Sequence, residues 1–110
     1  MKTIKFRYVY VVGEDGEYMF KYYSLDDIEK QEIKEEIPYA RNLFTGLTDK
    51  NGKEIYKGDR MEWENGDYGF IAWDKIDGKW TTSNGERRIE PIKWNEGKVI
   101  GNIYEDKKPL

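Results

Sequence analysis

The stretch over residues 42–59, NLFTGLTDKNGKEIYKGD, decides how the second half of the chain folds. Asp49-Lys50-Asn51-Gly52 is a strong turn signal, because asparagine and glycine tolerate the backbone angles of a tight reversal. We expect Thr45-Gly46-Leu47 to bend the chain, and Gly58 to adopt a positive φ or a close backbone approach. The Asp59 carboxylate is expected to bond neighbouring amides in an Asx turn. The stretch therefore predicts the entry into a small β-barrel.

Downstream of this stretch, the sequence predicts short strands separated by glycine turns. Nine of the eleven glycines lie after position 45. The predicted strands are Arg60–Glu64, Tyr68–Lys75, Lys79–Ser83, Ile89–Trp94 and Lys98–Tyr104. A spacing of roughly 8–12 residues between strands is typical of a small barrel or sandwich. Pro91 is expected at an edge or a bulge, since proline cannot donate to a sheet ladder.

Upstream of it, the sequence predicts a β-hairpin followed by a short helix. Residues 4–12 and 17–23 are rich in aromatic and β-branched side chains and flank a glycine-containing turn. Ser24 is a good N-cap, and Asp27 stands where its carboxylate can cap reciprocally. We therefore expect a helix from Leu25 to about Gln31.

The length of 110 residues fits one domain. The predicted fold is mainly β, in the α+β class, with the hairpin and helix over residues 1–44. A barrel-like part over 45–105 and a tail over 106–110 complete the predicted domain.

The composition predicts an aromatic-rich core and argues against most catalytic chemistry. Hydrophobic residues make up 37% and charged residues another 37%, but 15% are aromatic. Large rings bury much surface each and so compensate for the few aliphatic residues. The chain has no cysteine and no histidine. These side chains supply disulfides, thiolate metal sites and the commonest general base, so we predict a protein that is not an enzyme and needs no cofactor.

Hydropathy and charge predict a soluble protein without a membrane partner. No stretch approaches the roughly 18 apolar residues of a spanning helix, and the basic start lacks an apolar segment after it. The net charge is −3, from 19 basic and 22 acidic residues, and no basic stripe is present. Duplex binding normally needs such a stripe to neutralise phosphates.

Two passages carry a family resemblance. Residues 42–59 resemble the signature block of the YopX-like phage proteins, and residues 99–105, VIGNIYE, resemble the way that family closes. The opening over residues 4–10 is similar to one of its N-terminal variants. The resemblance implies a phage or prophage origin, a location in the bacterial cytoplasm and a C-terminal SH3-like barrel, and it brings no catalytic residues.

The signature positions of this resemblance contain mostly turn-forming and small residues. They are Thr45, Gly46, Asp49, Gly52, Tyr56, Gly58, Asp59, Gly101 and Asn102. The ordinary behaviour of such residues favours a structural role, and a binding role is the alternative.

The acidic segment over residues 26–36 is the first candidate binding surface. Its acidic members are Asp26, Asp27, Glu29, Glu32, Glu35 and Glu36, against two lysines. A solvated helix explains this charge, and the alternative is contact with a basic partner surface. With the resemblance, this favours a small interaction or regulatory module that binds a host or phage protein. Edge strands could also pair between copies in a homo-oligomer.

The alternative function is a nucleic-acid-associated barrel. Its candidate residues are Trp80, Arg87, Arg88 and Trp94. Trp63 and Trp73 are expected in the core. A core or partly buried position is also favoured for Trp80 and Trp94, since tryptophan is highly buried on average, but both adjoin turns where an exposed ring could stack on a base. Two adjacent arginines on a strand point to opposite faces, which halves any basic patch.

Overall fold

The computed structural model describes residues 4–30, 38–84 and 88–105 and is mainly β, as predicted. The chain divides into two compact units, Met1–Phe44 and Thr45–Leu110, which we call the N-terminal and C-terminal units. The predicted tail lies outside the described residues. No helix in the described parts is long and apolar enough to cross a membrane.

The elements follow one another as short strands with two helical segments. In chain order they are β1 (Lys5–Val12), β2 (Glu17–Ser24), α1 (Leu25–Lys30), β3 (Ala40–Thr48), β4 (Glu54–Tyr56), β5 (Asp59–Glu62), β6 (Tyr68–Asp74), β7 (Lys79–Ser83), β8 (Arg88–Ile89), a 3-10 helix (Pro91–Glu96) and β9 (Lys98–Asn102).

The N-terminal unit is built on an antiparallel sheet in the order β2-β1-β3. β1 and β2 pair over their whole length, from Lys5 opposite Ser24 to Val12 opposite Glu17. The reversal between them uses positive φ at Gly13 and Gly16, which glycine adopts without steric cost. β1 also pairs with the first residues of β3.

A reciprocal hydrogen-bond pair starts α1, as the sequence predicted. The Asp27 backbone N–H donates to Ser24 Oγ at 3.1 Å, and the Ser24 backbone N–H donates to Asp27 Oδ2 at 3.0 Å. These two bonds satisfy amides that a helix start leaves without an intrahelical acceptor. The helix is only six residues long, so this cap is a large share of what holds it.

Aromatic rings and cations stabilise the N-terminal unit. Val9 is fully buried and Tyr8 and Tyr10 nearly so. Tyr8 packs edge-to-face on Tyr23 at 5.2 Å between ring centroids, and the Arg41 guanidinium lies 5.3 Å from the Tyr8 ring centroid. Since few aliphatic side chains are buried here, rings supply most of the apolar surface.

The C-terminal unit contains a five-stranded antiparallel sheet in the order β8-β7-β6-β5-β9. β4, which precedes this sheet in the chain, is hydrogen-bonded to β3. Four buried residues form the core, namely Ile55, Met61, Ile71 and Trp94. Trp63, Trp80, Ile89 and Val99 pack against this core and stay partly exposed.

The predicted strand over residues 89–94 is wrong. Only Arg88–Ile89 pairs as a strand, and Pro91–Glu96 forms a 3-10 helix. Pro91 stands at the start of this helix, where a missing N–H costs nothing and the fixed φ is favourable. The helical turn carries Trp94 into the core.

Two further expectations need correction. Trp73 is 42% exposed rather than a core residue, and Trp63 is only partly buried. Trp73 lies directly opposite Trp80, towards the end of the β6–β7 ladder. The sequence also failed to predict β3 and β4 as strands, and residues 45–47 within β3 were interpreted as a bend.

Candidate functional site

The acidic segment is described only in part. Asp26, Asp27 and Glu29 lie on α1 and are exposed, while Glu32, Glu35 and Glu36 lie outside the described residues. Asp26 and Glu29 are three positions apart on the helix and so share one side. Asp27 differs from them, because its carboxylate accepts the hydrogen bond that caps the helix.

Asp49 holds two distant segments of the C-terminal unit together. Its carboxylate is buried and accepts three backbone N–H bonds, from Asn51 at 2.8 Å, Lys53 at 2.9 Å and Val99 at 2.8 Å. Burial by itself raises the pKa of Asp49, but the three N–H donors together with the charge of Lys53 outweigh it and hold the pKa below the ordinary 3.8. The side chain is therefore an ionised structural link between the 49–53 turn and β9.

Neighbouring signature residues bind backbone in the same way. The Thr45 hydroxyl donates to the Ile55 carbonyl at 2.8 Å, and Asp59 Oδ2 accepts the Tyr56 N–H at 2.8 Å. At the other end of the unit, Asn102 Oδ1 accepts the N–H groups of Tyr104 and Glu105, both at 3.0 Å. The glycines at 46, 52 and 58 all have positive φ. The signature positions thus serve the backbone, and Gly58, with φ 90°, confirms the prediction made for it.

The residues predicted to bind nucleic acid do not form one surface in the described structure. Trp94 is fully buried, and its Nε1–H donates to the Ile89 carbonyl at 3.3 Å. Trp80 packs edge-to-face on Trp73 at 5.1 Å between ring centroids. Arg88 donates to Asp74 Oδ2 at 2.8 Å, and Arg87 lies outside the described residues. Trp94 therefore offers no ring surface for stacking, and the charge of Arg88 is already partnered.

Asp74 is held ionised at the β6–β7 turn. The Asp77 backbone N–H and the Arg88 guanidinium are the main causes that lower the pKa of Asp74. The backbone N–H of Ile76 adds to them at 2.9 Å. This carboxylate closes a turn and anchors Arg88, so it is not a free acid or base.

A groove that the sequence did not predict lies beside Trp63. It has a volume of about 630 Å³ and runs between the β5–β6 turn, β8 and the 3-10 helix. Trp63, Ile89 and Ile92 provide its apolar surface. Ile92 is 85% exposed, which is unusual for an isoleucine held on a short, ordered helix. We call this feature the Trp63 groove.

Two contacts fix the Trp63 ring in the groove wall. Its Nε1–H donates to the Lys93 carbonyl at 2.9 Å. The ring also lies directly on the backbone of Gly97, where an added Cβ would stand 2.6 Å from the indole. Gly97 thus permits a close approach that no other residue allows. The indole is held in one position before any ligand arrives.

Charged side chains line the rim of the Trp63 groove. The carboxylates are those of Glu64, Asp67, Glu90 and Glu96, and the cations are Arg88 and Lys93. Glu64 is 3.7 Å from the Lys50 ammonium and Glu90 is 3.4 Å from that of Lys79, in both cases with exposed side chains. The rim therefore carries four carboxylates against two cations, and the lysines paired with Glu64 and Glu90 are exposed.

Sequence reasoning could not have found this groove from a local pattern. Trp63 and Lys93 are thirty positions apart, and Trp63 was expected in the core. Pro91, followed by an apolar residue, was a signal for a helical turn at this point. A helical turn would have placed the Ile92 side chain on the outside of the unit. Within the described residues, no group of three or more acidic side chains is arranged to hold a metal ion.

Comparison with known proteins gives a family match. The family model described as YopX protein matches residues 17–110 of the chain. No curated protein sequence matches it.

Proposed function

We propose that this chain, which belongs to the YopX family, is a non-enzymatic protein of phage origin that binds another protein in the bacterial cytoplasm. The observation that carries the proposal is the Trp63 groove, in which a fixed indole stands beside an isoleucine that is 85% exposed. Its action on a host factor would be regulatory and stoichiometric.

The groove has the composition of a protein-binding surface. Protein interfaces concentrate tryptophan at their energetic centres and surround it with a polar rim. A ring that is already fixed loses little conformational entropy on binding, so more of its contact energy appears as affinity. Trp63 meets this condition through the Lys93 carbonyl and Gly97.

The use of the buried acids supports the non-enzymatic part of the proposal. A catalytic acid or base must reach the substrate and exchange a proton with it. Asp49 and Asp59 instead accept backbone N–H bonds inside the C-terminal unit. The chain also lacks histidine and cysteine.

For the fold, we propose that the C-terminal unit is a variant of the small SH3-like barrel. Five short antiparallel strands and a 3-10 helix immediately before the last strand support this assignment. A nuclear magnetic resonance structure would test it through contacts between the terminal strands of the sheet.

The nucleic-acid alternative has less support. Of its four residues, Trp94 is buried and Arg88 is paired with Asp74. We therefore treat nucleic-acid binding as the competing outcome of the experiment rather than as a second proposal.

The test is affinity capture of the tagged full chain from bacterial lysate, with and without nuclease. We expect a stoichiometric protein that survives nuclease treatment and is lost with the variant Ile92→Asp. Ile76→Asp is the matched control, because Ile76 is 95% exposed and lies outside the groove. A partner that disappears with nuclease, or that both variants retain equally, would overturn the groove as the binding surface.

The acidic helix is tested in parallel. Asp26→Lys combined with Glu29→Lys reverses two exposed charges without touching the capping residue Asp27. Glu14→Lys combined with Asp15→Lys is the control, since these acids are exposed on the β1–β2 turn of the same unit. Loss of the partner in the first pair alone would move the binding surface to α1.

A further inference from the structure

We infer that the Trp63 groove binds an extended segment of the partner protein in which lysine or arginine stands next to apolar side chains. This inference rests on the proposed function and adds the chemistry of the partner. Three properties of the groove carry it: the apolar wall, the acidic rim and the edge strand beside it.

The apolar wall calls for an apolar partner side chain. Trp63 and Ile89 are partly buried in the core of the unit, and Ile92 stands next to them with most of its surface in water. Covering such surface is favourable by roughly 25 cal/mol per Å². A purely polar ligand would not obtain this favourable free energy of burial.

The acidic rim favours a ligand that carries a cationic side chain as well as an apolar one. Four carboxylates face two cations along the groove, and the guanidinium of Arg88 is already bound to Asp74 at 2.8 Å. The lysines paired with Glu64 and Glu90, namely Lys50 and Lys79, are exposed and lie 3.7 Å and 3.4 Å away, and exposed ion pairs of this kind are weak. An incoming lysine or arginine can displace them at small cost.

The same rim disfavours anionic ligands. A phosphate backbone would approach Glu64, Asp67, Glu90 and Glu96 with a charge of the same sign. Nucleic-acid binding gains affinity when basic side chains release counterions from the phosphates, and this rim has two basic side chains, Arg88 and Lys93, of which Arg88 is already bound to Asp74. The charge distribution therefore favours a basic protein segment over a nucleic acid.

The edge strand favours an extended ligand conformation. β8 is the terminal strand of the sheet in the described part of the chain, and Arg88, Ile89 and Glu90 line the groove. An extended segment beside an edge strand presents alternate side chains to the same surface. In a ligand whose apolar and basic residues alternate, the apolar side chains would thus contact the apolar wall and the basic side chains would contact the acidic rim.

The experiment is fluorescence anisotropy on the full chain with labelled peptides. The probe is a short peptide of alternating lysine and leucine, and the controls are the corresponding lysine–serine and glutamate–leucine peptides. We expect only the lysine–leucine peptide to bind. Ile92→Asp should weaken it at least about tenfold, whereas Ile76→Asp should leave it unchanged.

The rim is tested separately from the wall. Glu90→Gln combined with Glu96→Gln should weaken the lysine–leucine peptide several-fold and flatten the dependence of its affinity on salt. Circular dichroism should show that all variants are folded, since Ile92, Glu90 and Glu96 are exposed. Equal binding by wild type and Ile92→Asp, or equal binding of the glutamate–leucine peptide, overturns the inference. Competition by oligothymidylate that Ile92→Asp abolishes would also overturn it.

The two proposals fail in different ways. A captured protein partner with no groove-dependent peptide binding removes this inference and leaves the proposed function. Groove-dependent peptide binding without any nuclease-resistant partner removes the proposed function.

Discussion

The two units of this protein are stabilised by different means. Among the described residues of the N-terminal unit, the buried hydrophobic ones are Tyr8, Val9 and Tyr10, and cations lie over the rings of Tyr10 and Phe20. The C-terminal unit has an aliphatic and tryptophan core and buried side-chain oxygens that bind backbone N–H groups. Most contacts of the first arrangement are individually weak, apart from the buried hydrogen bond that Arg7 Nε–H donates to Asn42 Oδ1 at 2.8 Å, whereas the second depends more on a few strong contacts.

This difference bears on the positions that carry the sequence resemblance. Cation–π and ring–ring contacts contribute about 0.5–1.5 kcal/mol each and tolerate substitution among similar residues. A buried carboxylate that accepts three backbone N–H bonds tolerates almost none, because each donor would lose its acceptor. We therefore expect Asp49, Asp59 and Asn102 to tolerate substitution less well than most positions of β1 and β2.

The two units can also be observed separately. All four tryptophans lie in the C-terminal unit, and six of the nine tyrosines lie in the N-terminal unit. Tryptophan fluorescence consequently reports on the C-terminal unit, while far-ultraviolet circular dichroism reports on both. A comparison of the two signals therefore shows which unit a substitution affects.

The largest effect is expected from Trp94→Ala. Trp94 is fully buried in the core of the C-terminal unit, and its removal should lower the free energy of unfolding by about 3–5 kcal/mol. Val9→Ala in the N-terminal unit removes far less buried surface and should cost about 2 kcal/mol. Urea unfolding followed by circular dichroism measures both. An equal loss in the two variants would contradict the contrast between the units.

The second effect concerns Asp49→Asn, which replaces a carboxylate that accepts three N–H bonds. An amide can turn only one oxygen to these donors, so we expect a loss of about 2–3 kcal/mol. The control is Asp77→Asn, an exposed acid in the same unit, which should change little. Urea unfolding at neutral pH distinguishes the two.

The destabilisation caused by Asp49→Asn is predicted to depend on pH. The pKa of Asp49 is lowered in the folded state, so its stabilisation is complete above the ordinary 3.8 and is lost as pH falls through the lower folded value. The difference in unfolding free energy between wild type and Asp49→Asn should therefore be constant above about pH 5 and shrink in stronger acid. A difference that grows on acidification would show that Asp49 is not held ionised.

The sequence predicted those elements whose signal is local. β1, β2, β6 and β7 follow from alternating aromatic or β-branched residues between glycine turns, and α1 follows from Ser24 and Asp27. β4 has three residues, too few to show a period. In β3, Gly46 adopts a positive φ inside the strand, and such a glycine is interpreted from sequence as a turn.

The candidate site was less predictable for the same reason. The acidic residues on α1 are visible in the sequence because they are adjacent, but the Trp63 groove joins residues from positions 63 to 96. Its formation depends on Pro91 starting a helical turn instead of breaking a strand. Periodicity cannot separate a short apolar run in a strand from one in a helix, so Ile92 and Trp94 were assigned to the wrong element.

A third prediction concerns the signature glycine Gly58. Its φ of 90° lies in a region that side chains other than glycine rarely adopt, so Gly58→Ala should cost about 1–2 kcal/mol. Gly101→Ala is the matched control in the same unit, because φ there is not positive and no atom lies within 4 Å of an added Cβ. Tryptophan fluorescence during urea unfolding should show a loss for the first variant and none for the second. A similar loss in both would mean that the positive φ of Gly58 is not the cause.

The smallest effect is expected at the cap of α1. Ser24→Ala removes the hydroxyl that accepts the Asp27 N–H, which typically costs about 1 kcal/mol. Because α1 has only six residues, the loss should appear as faster hydrogen exchange of its amides, with little change in tryptophan fluorescence.

Ser24→Asp decides whether that loss is due to capping. Aspartate is an equally good N-cap, so slow exchange at the Asp27 amide should return if the hydrogen bond is the cause. Fast exchange in both variants would instead attribute the effect to the fit of the serine side chain. If Ser24→Ala lowered the free energy of unfolding as much as Trp94→Ala does, the contrast between the units would be reversed. The N-terminal unit would then depend on a single strong contact. We expect a small loss of stability confined to α1, as is typical of a unit stabilised mainly by many weak contacts.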